Sequence, residues 1–128
     1  MRVLLVEPDV LLGRSYGEAL TQDKHTVDHV RTAQDAVQAA DAHKPDVVVV
    51  NIDMPRHNGV EFLYEFTSYN EWQGTPVLVL ASQLNHDLAE RTVVRDQLGV
   101  REVLVRSRTG LQDLCRAVRA VGQADESA

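Results

Sequence analysis

The stretch Asp46-Val47-Val48-Val49-Val50-Asn51-Ile52-Asp53-Met54-Pro55-Arg56-His57-Asn58-Gly59 constrains the fold more than any other. Four successive valines leave no polar face, so the segment suits a strand covered on both sides, as in a parallel sheet. A polar loop follows, punctuated by Pro55 and Gly59. The carboxyl end of such a strand is where open α/β sheets place their chemistry. Asn51 and Asp53 therefore hold the positions with the strongest claim to function.

The flanking pattern repeats the strand and adds helices. Arg2 to Val6 is a short apolar strand, ended by Pro8 and Asp9. Asp9 is a good N-cap for a helix carrying Leu12, Tyr16 and Leu20 on one face. Thr26 to Val30 alternates weakly and predicts a strand with an exposed side. Thr32, with Asp35 three residues on, opens a second helix whose inner face is Ala33, Ala36, Val37 and Ala40. Lys44-Pro45 breaks it. Val60, Leu63 and Thr67, flanked by Phe62 and Phe66, predict a third helix to about Asn70. The turn Gln73-Gly74-Thr75-Pro76 leads into an apolar strand from Val77 to Ala81. Asn85 can cap a fourth helix with Ala89, Val93 and Leu98 inside and Gly99 as its stop. Glu102 to Val105 is the fifth strand. Thr109-Gly110-Leu111-Gln112 reads as a capping box for a last helix buried through Leu111, Leu114, Cys115 and Val118.

Five strands alternating with five helices predict an α/β fold. It is a single (βα)5 doubly wound five-stranded parallel sheet with right-handed crossovers. One domain is expected over residues 1–121, with 122–128 a small polar tail or the start of a linker.

Composition narrows the function classes. A net charge of −6 argues against direct nucleic-acid binding by this domain, which needs a basic footprint. Cys115 is the only cysteine, so no intrachain disulfide is possible, in keeping with a reducing cytoplasm. No apolar run is long enough to span a bilayer, and Glu7 comes too early for a signal peptide. The chain reads as cytoplasmic with no membrane partner. His25, His29, His43, His57 and His86 are scattered, and no metal cluster is expected. No Ser/His/Asp or Cys/His arrangement, phosphate loop or nucleotide fingerprint points to a conventional enzyme.

The strand ends carry Glu7, Pro8 and Asp9 after the first strand, and Asn51 and Asp53 after the third. Ala81 and Ser82 follow the fourth, and Arg106 and Ser107 the fifth. On these residues, and on Lys44-Pro45-Asp46, Asn58-Gly59, Pro76 to Ser82 and Leu98 to Arg106 around them, the chain resembles a receiver domain of the response regulators of bacterial two-component signalling. The resemblance implies the flavodoxin-like receiver fold. It also implies an acidic pair that binds Mg²⁺, an Asp phosphoacceptor after the third strand, a Thr or Ser after the fourth, a Lys after the fifth, and a switch aromatic in the fifth.

This chain departs from that pattern at nearly every chemical position. The acidic pair falls on Glu7 and Pro8, the phosphoacceptor on Asn51 and the Thr or Ser on Ala81, with Ser82 one place late. The Lys falls on Arg106, its following proline on Ser107, and the aromatic on Val103. An amide is a very poor nucleophile, and Pro8 has no side-chain oxygen for a hard cation. The expectation is a pseudo-receiver with no catalytic residue. Asn51 is its degenerate acceptor position, and Glu7, Pro8, Asp9 and Asp53 are its degenerate pocket. Ala81, Ser82, Val103 and Arg106 are its altered switch positions. Mg²⁺ binding is expected to be weak or absent, and no other cofactor is implied.

Within the pocket, Asp9 is expected to cap its helix and Asp53 to face solvent or Arg106. Arg106 either pairs with Glu7 or Asp53 as a substitute cation or lies on the surface. The Arg106–Ser107 peptide is expected to be trans. Trp72 and Tyr69 are expected to pack partly at the end of the third helix. Arg91, Arg95, Glu102, Asp113 and Arg116 mark a face of the fourth helix, fifth strand and last helix suited to a protein partner or a second copy. The implied function is phosphorylation-independent signalling through protein contact, as a regulatory module or the input domain of a transcription regulator. Two alternatives stand beside it: phosphorylation at a non-standard residue such as Asp53 or Ser82, and small-molecule sensing in the same pocket.

Overall fold

The computed structural model describes residues 1–53, 59–82 and 98–126. Five strands form one parallel sheet in the order β2-β1-β3-β4-β5. They are β1 (Arg2–Val6), β2 (Thr26–Val30), β3 (Val47–Asn51), β4 (Val77–Ala81) and β5 (Val100–Val105). The described helices are α1 (Val10–Gln22), α2 (Ala33–Ala42), α3 (Gly59–Ser68) and α4 (Leu111–Glu126).

The valine run shows why the sheet needs two covers. Val47 and Val49 pack with Val3, Leu5, Tyr16, Leu20, Leu114 and Val118 on the side of α1 and α4. Val48 and Val50 pack with Leu4, Val6, Ala36, Ala40, Phe62 and Phe66 on the side of α2 and α3. Successive side chains of a strand point to opposite faces, so a central strand must be apolar throughout. All five residues of β3 and all five of β4 are buried. β2, at the edge, keeps an exposed side.

The caps set where each helix begins. The Asp9 carboxylate accepts from the Leu12 N–H at 2.9 Å and the Thr32 hydroxyl accepts from the Asp35 N–H at 3.0 Å. The last helix starts differently from the expected capping box. Thr109 turns its hydroxyl back to the Val105 carbonyl at 2.7 Å, and the Asp113 carboxylate accepts from the Gly110 N–H at 2.9 Å. That shift leaves Leu111 43% exposed, outside the buried face of Leu114, Cys115 and Val118.

Three other expectations are corrected. α3 stops at Ser68, and a separate 3-10 turn spans Asn70–Trp72. It carries Trp72 into the core, stacked on Phe66 with ring centroids 4.8 Å apart and partly covered by Tyr69. β5 begins at Val100, with an irregularity where Val77 pairs with Val100 but Leu78 with Glu102. α4 runs past Gly122 to Glu126, and the Met1 thioether packs where a Gly122 side chain would lie.

Gly99 has the left-handed backbone of a helix stop, while the helix it was expected to end lies outside the described residues. Its φ of 70° is left-handed, and a Cβ there would come within 2.8 Å of the Thr75 carbonyl oxygen. Asn85, Ala89 and Val93 lie outside the described residues, as do Arg91, Arg95, Pro55, His57 and Asn58. Among the described residues, no helix is long and apolar enough to cross a membrane.

Candidate functional site

β1, β3 and β4 are neighbours and run parallel, so their carboxyl ends lie side by side. Pairing of Val6 with Val50 sets Glu7 beside Asn51. Pairing of Asn51 with Leu80 brings Asp53 toward the start of the segment after β4.

Glu7 is wholly buried and Asn51 nearly so. A carboxylate taken out of water is costly unless hydrogen bonds replace the lost solvent. Asn51 Nδ2 donates to Glu7 Oε1 at 3.2 Å and to Oε2 at 3.1 Å. The Asp9 N–H adds a bond to Oε2 at 3.1 Å. The other end of the amide is used as well, since Asn51 Oδ1 accepts from the Asp53 N–H at 2.9 Å. Glu7 defines the amide's orientation, because the reverse would set two acceptors against each other.

Each remaining acid is also committed to a donor. Asp9 caps α1, and exposed Asp53 accepts from the Ser82 N–H through Oδ2 at 2.8 Å. Among the described residues, no group of three His, Cys, Asp or Glu side chains converges as a metal site.

Two contacts at the site escaped the sequence reading. His29 Nε2 donates to the Glu7 carbonyl at 3.0 Å, and Arg31 Nε donates to the Pro8 carbonyl at 3.0 Å. Among the described residues, the cation that reaches a backbone group of the pocket is therefore Arg31, just past the end of β2. The register Val6 with Val30 is the signal that places residue 31 next to residue 8. It becomes available only once the strand order is known.

The four switch positions divide. Ala81 presents a buried methyl, Ser82 is exposed, and Val103 is half-buried against the core on the α2 and α3 side. Arg106 is half-buried in a 3-10 turn, Arg106–Arg108. Among the described residues it forms no ion pair with Glu7 or Asp53. The Arg106–Ser107 peptide is trans. On the expected partner face, Glu102 and Arg116 are exposed. Asp113 serves the α4 cap and faces Arg116 at 3.6 Å, a solvated pair of small energetic weight.

Comparison with known proteins is consistent along the chain. The profile of the response regulator receiver domain family matches residues 3–119. Transcriptional regulatory protein PdtaR of Mycobacterium tuberculosis is 33% identical over 91 residues, covering 70% of this chain and 43% of that protein. Transcriptional regulatory protein TcrA of the same organism is 34% identical over 83 residues, covering 65% of this chain and 32% of that protein. The chain thus spans less than half the length of either. Among solved structures, the Vibrio cholerae chemotaxis response regulator CheY4 superposes with a TM-score of 0.81 at 20% identity, covering 94% of this chain and 97% of that one.

Proposed function

The chain belongs to the response regulator receiver domain family, and from there we propose that it is a pseudo-receiver, a signalling module that works through protein contact and takes no phosphoryl group at Asn51. The observation that carries this reading is the Asn51 amide donating to both oxygens of buried Glu7. Phosphoryl transfer needs an oxygen nucleophile and cations that neutralise the developing charge. Position 51 offers an amide nitrogen already engaged as a donor.

The residues present do not fit Mg²⁺. Both Glu7 oxygens are taken by donors, the Pro8 side chain has no oxygen, and its carbonyl accepts from the Arg31 guanidinium. With no step through a metal, the module's output is carried on its surface. The face of Glu102, Asp113 and Arg116, with Arg91 and Arg95 from the segment between β4 and β5, is the one proposed for a protein partner or second copy. The named relatives are transcriptional regulatory proteins of more than twice the matched length, which supports a role as the input domain of a larger regulator.

Intact mass after incubation with acetyl phosphate and Mg²⁺ tests the reading. The wild-type mass is expected to stay unchanged. A stable phosphoryl adduct would overturn it, and mapping to Asp53 or Ser82 would identify the alternative acceptor.

A further inference from the structure

The polar contacts at the strand ends form one directed chain. The Ser82 N–H donates to the Asp53 carboxylate, the Asp53 N–H to the Asn51 carbonyl oxygen, and the Asn51 amide to the Glu7 carboxylate. Within this chain of bonds the Asn51 amide accepts at its oxygen and donates at its nitrogen, so the two bonds it makes polarise each other. The chain crosses the exits of β4, β3 and β1 in turn.

Its outer link is the informative one. β4 ends at Ala81, which pairs with Val105, so the Ser82 N–H lies one residue beyond the ladder. Ser82 is exposed, and its N–H could be satisfied by water. It is instead held at 2.8 Å by an ionisable side chain from another loop. Charge-assisted bonds of this kind are stronger than neutral ones. Asp53 is itself anchored through its own N–H to buried Asn51.

We propose that Asp53 is an internal anionic ligand, a clasp that fixes the Ser82 N–H at the exit of β4 without any added ligand. Ser82 is the first residue of the stretch that carries Arg91 and Arg95. The clasp therefore ties the exit of β4 to the pocket at the exits of β3 and β1. The inference rests on the pseudo-receiver reading, because a phosphoryl group in the crevice would compete with Asp53 for the Ser82 N–H.

Native-state amide exchange, followed by NMR on the full chain, tests it with Asp53→Ala and Asp53→Asn. Asp53 is exposed, so both variants are expected to fold. The Ser82 amide is expected to exchange about tenfold faster in Asp53→Ala, with Asp53→Asn between it and wild type. The Ile52 amide, bonded to the Leu80 carbonyl at 2.9 Å within the sheet, is expected to keep its rate. Equal Ser82 rates in wild type and Asp53→Ala would overturn the clasp, as would equal acceleration of Ile52. Wild-type protection in Asp53→Asn would overturn its anionic character. A phosphoryl adduct on the wild type would overturn the pseudo-receiver reading on which the clasp rests, and mass spectrometry reads that separately from the exchange rates.

Discussion

Asn51 and an aspartate have nearly the same shape and differ in one group, an amide NH2 that donates where the acid has an oxygen that accepts. Opposite a wholly buried carboxylate at 3.1 to 3.2 Å, that difference decides the local electrostatics. Two carboxylates at that distance repel and call for a cation, whereas an amide and a carboxylate satisfy each other. His25, outside the pocket, shows a residue with the opposite balance. Its Nδ1 accepts from the Met1 ammonium at 3.3 Å, while its Nε2 faces Asp23 at 3.5 Å without forming a hydrogen bond. Arg119 engages the other Asp23 oxygen at 3.4 Å. Burial pushes the His25 imidazole below its ordinary value and the ammonium adds to this, while Asp23 opposes. A lowered folded value means that the contribution to stability is complete above the unfolded value, near about 6.5, and is lost as pH falls below it. Urea midpoints are expected to drop from about pH 7.5 to about pH 5.5 in wild type, and to drop less in His25→Gln. Parallel curves for the two proteins would refute this.

Among the elements, two glycines of similar sequence character are expected to respond oppositely. Gly17 lies within α1, and a Cβ there would meet only Val27 Cγ1, at 3.9 Å. Gly17→Ala is expected to stabilise by about 0.5–1 kcal/mol through helix propensity. Gly59 opens α3, where a Cβ would come within 2.6 Å of Ile52 Cα. Gly59→Ala is expected to destabilise by about 1–3 kcal/mol as the backbone shifts. Urea denaturation of both measures the pair, and equal shifts would contradict it. The same elements show what the sequence could reveal. β3 and β4 were legible because doubly covered strands need continuous apolar runs, and the Asp9 and Thr32 caps because a cap acts within three residues. The start of α4 was less legible, since Thr109 could serve either the helix or the Val105 carbonyl. Its length was less legible too, because Gly122 and the polar residues after it read as a stop while the helix continues to Glu126.

At the scale of the whole molecule, the sheet brings together residues far apart in sequence, and that limited the reading of the site. The identities of Glu7, Pro8, Asn51, Ala81 and Arg106 were readable from spacing and from the resemblance to receivers. Which cation would lie beside the vacated pocket was not, and Arg31 rather than Arg106 reaches the Pro8 carbonyl. The donor set closes on itself and leaves Glu7 with no oxygen free of a donor. Cation response reports that closure directly. Melting temperatures of wild type and Asn51→Asp are to be compared in EDTA and in excess Mg²⁺. The wild type is expected to melt at the same temperature in both. Asn51→Asp is expected to melt lower in EDTA and to recover in Mg²⁺, which relieves the repulsion between its two carboxylates. A rise with Mg²⁺ in wild type equal to that in Asn51→Asp would contradict the account.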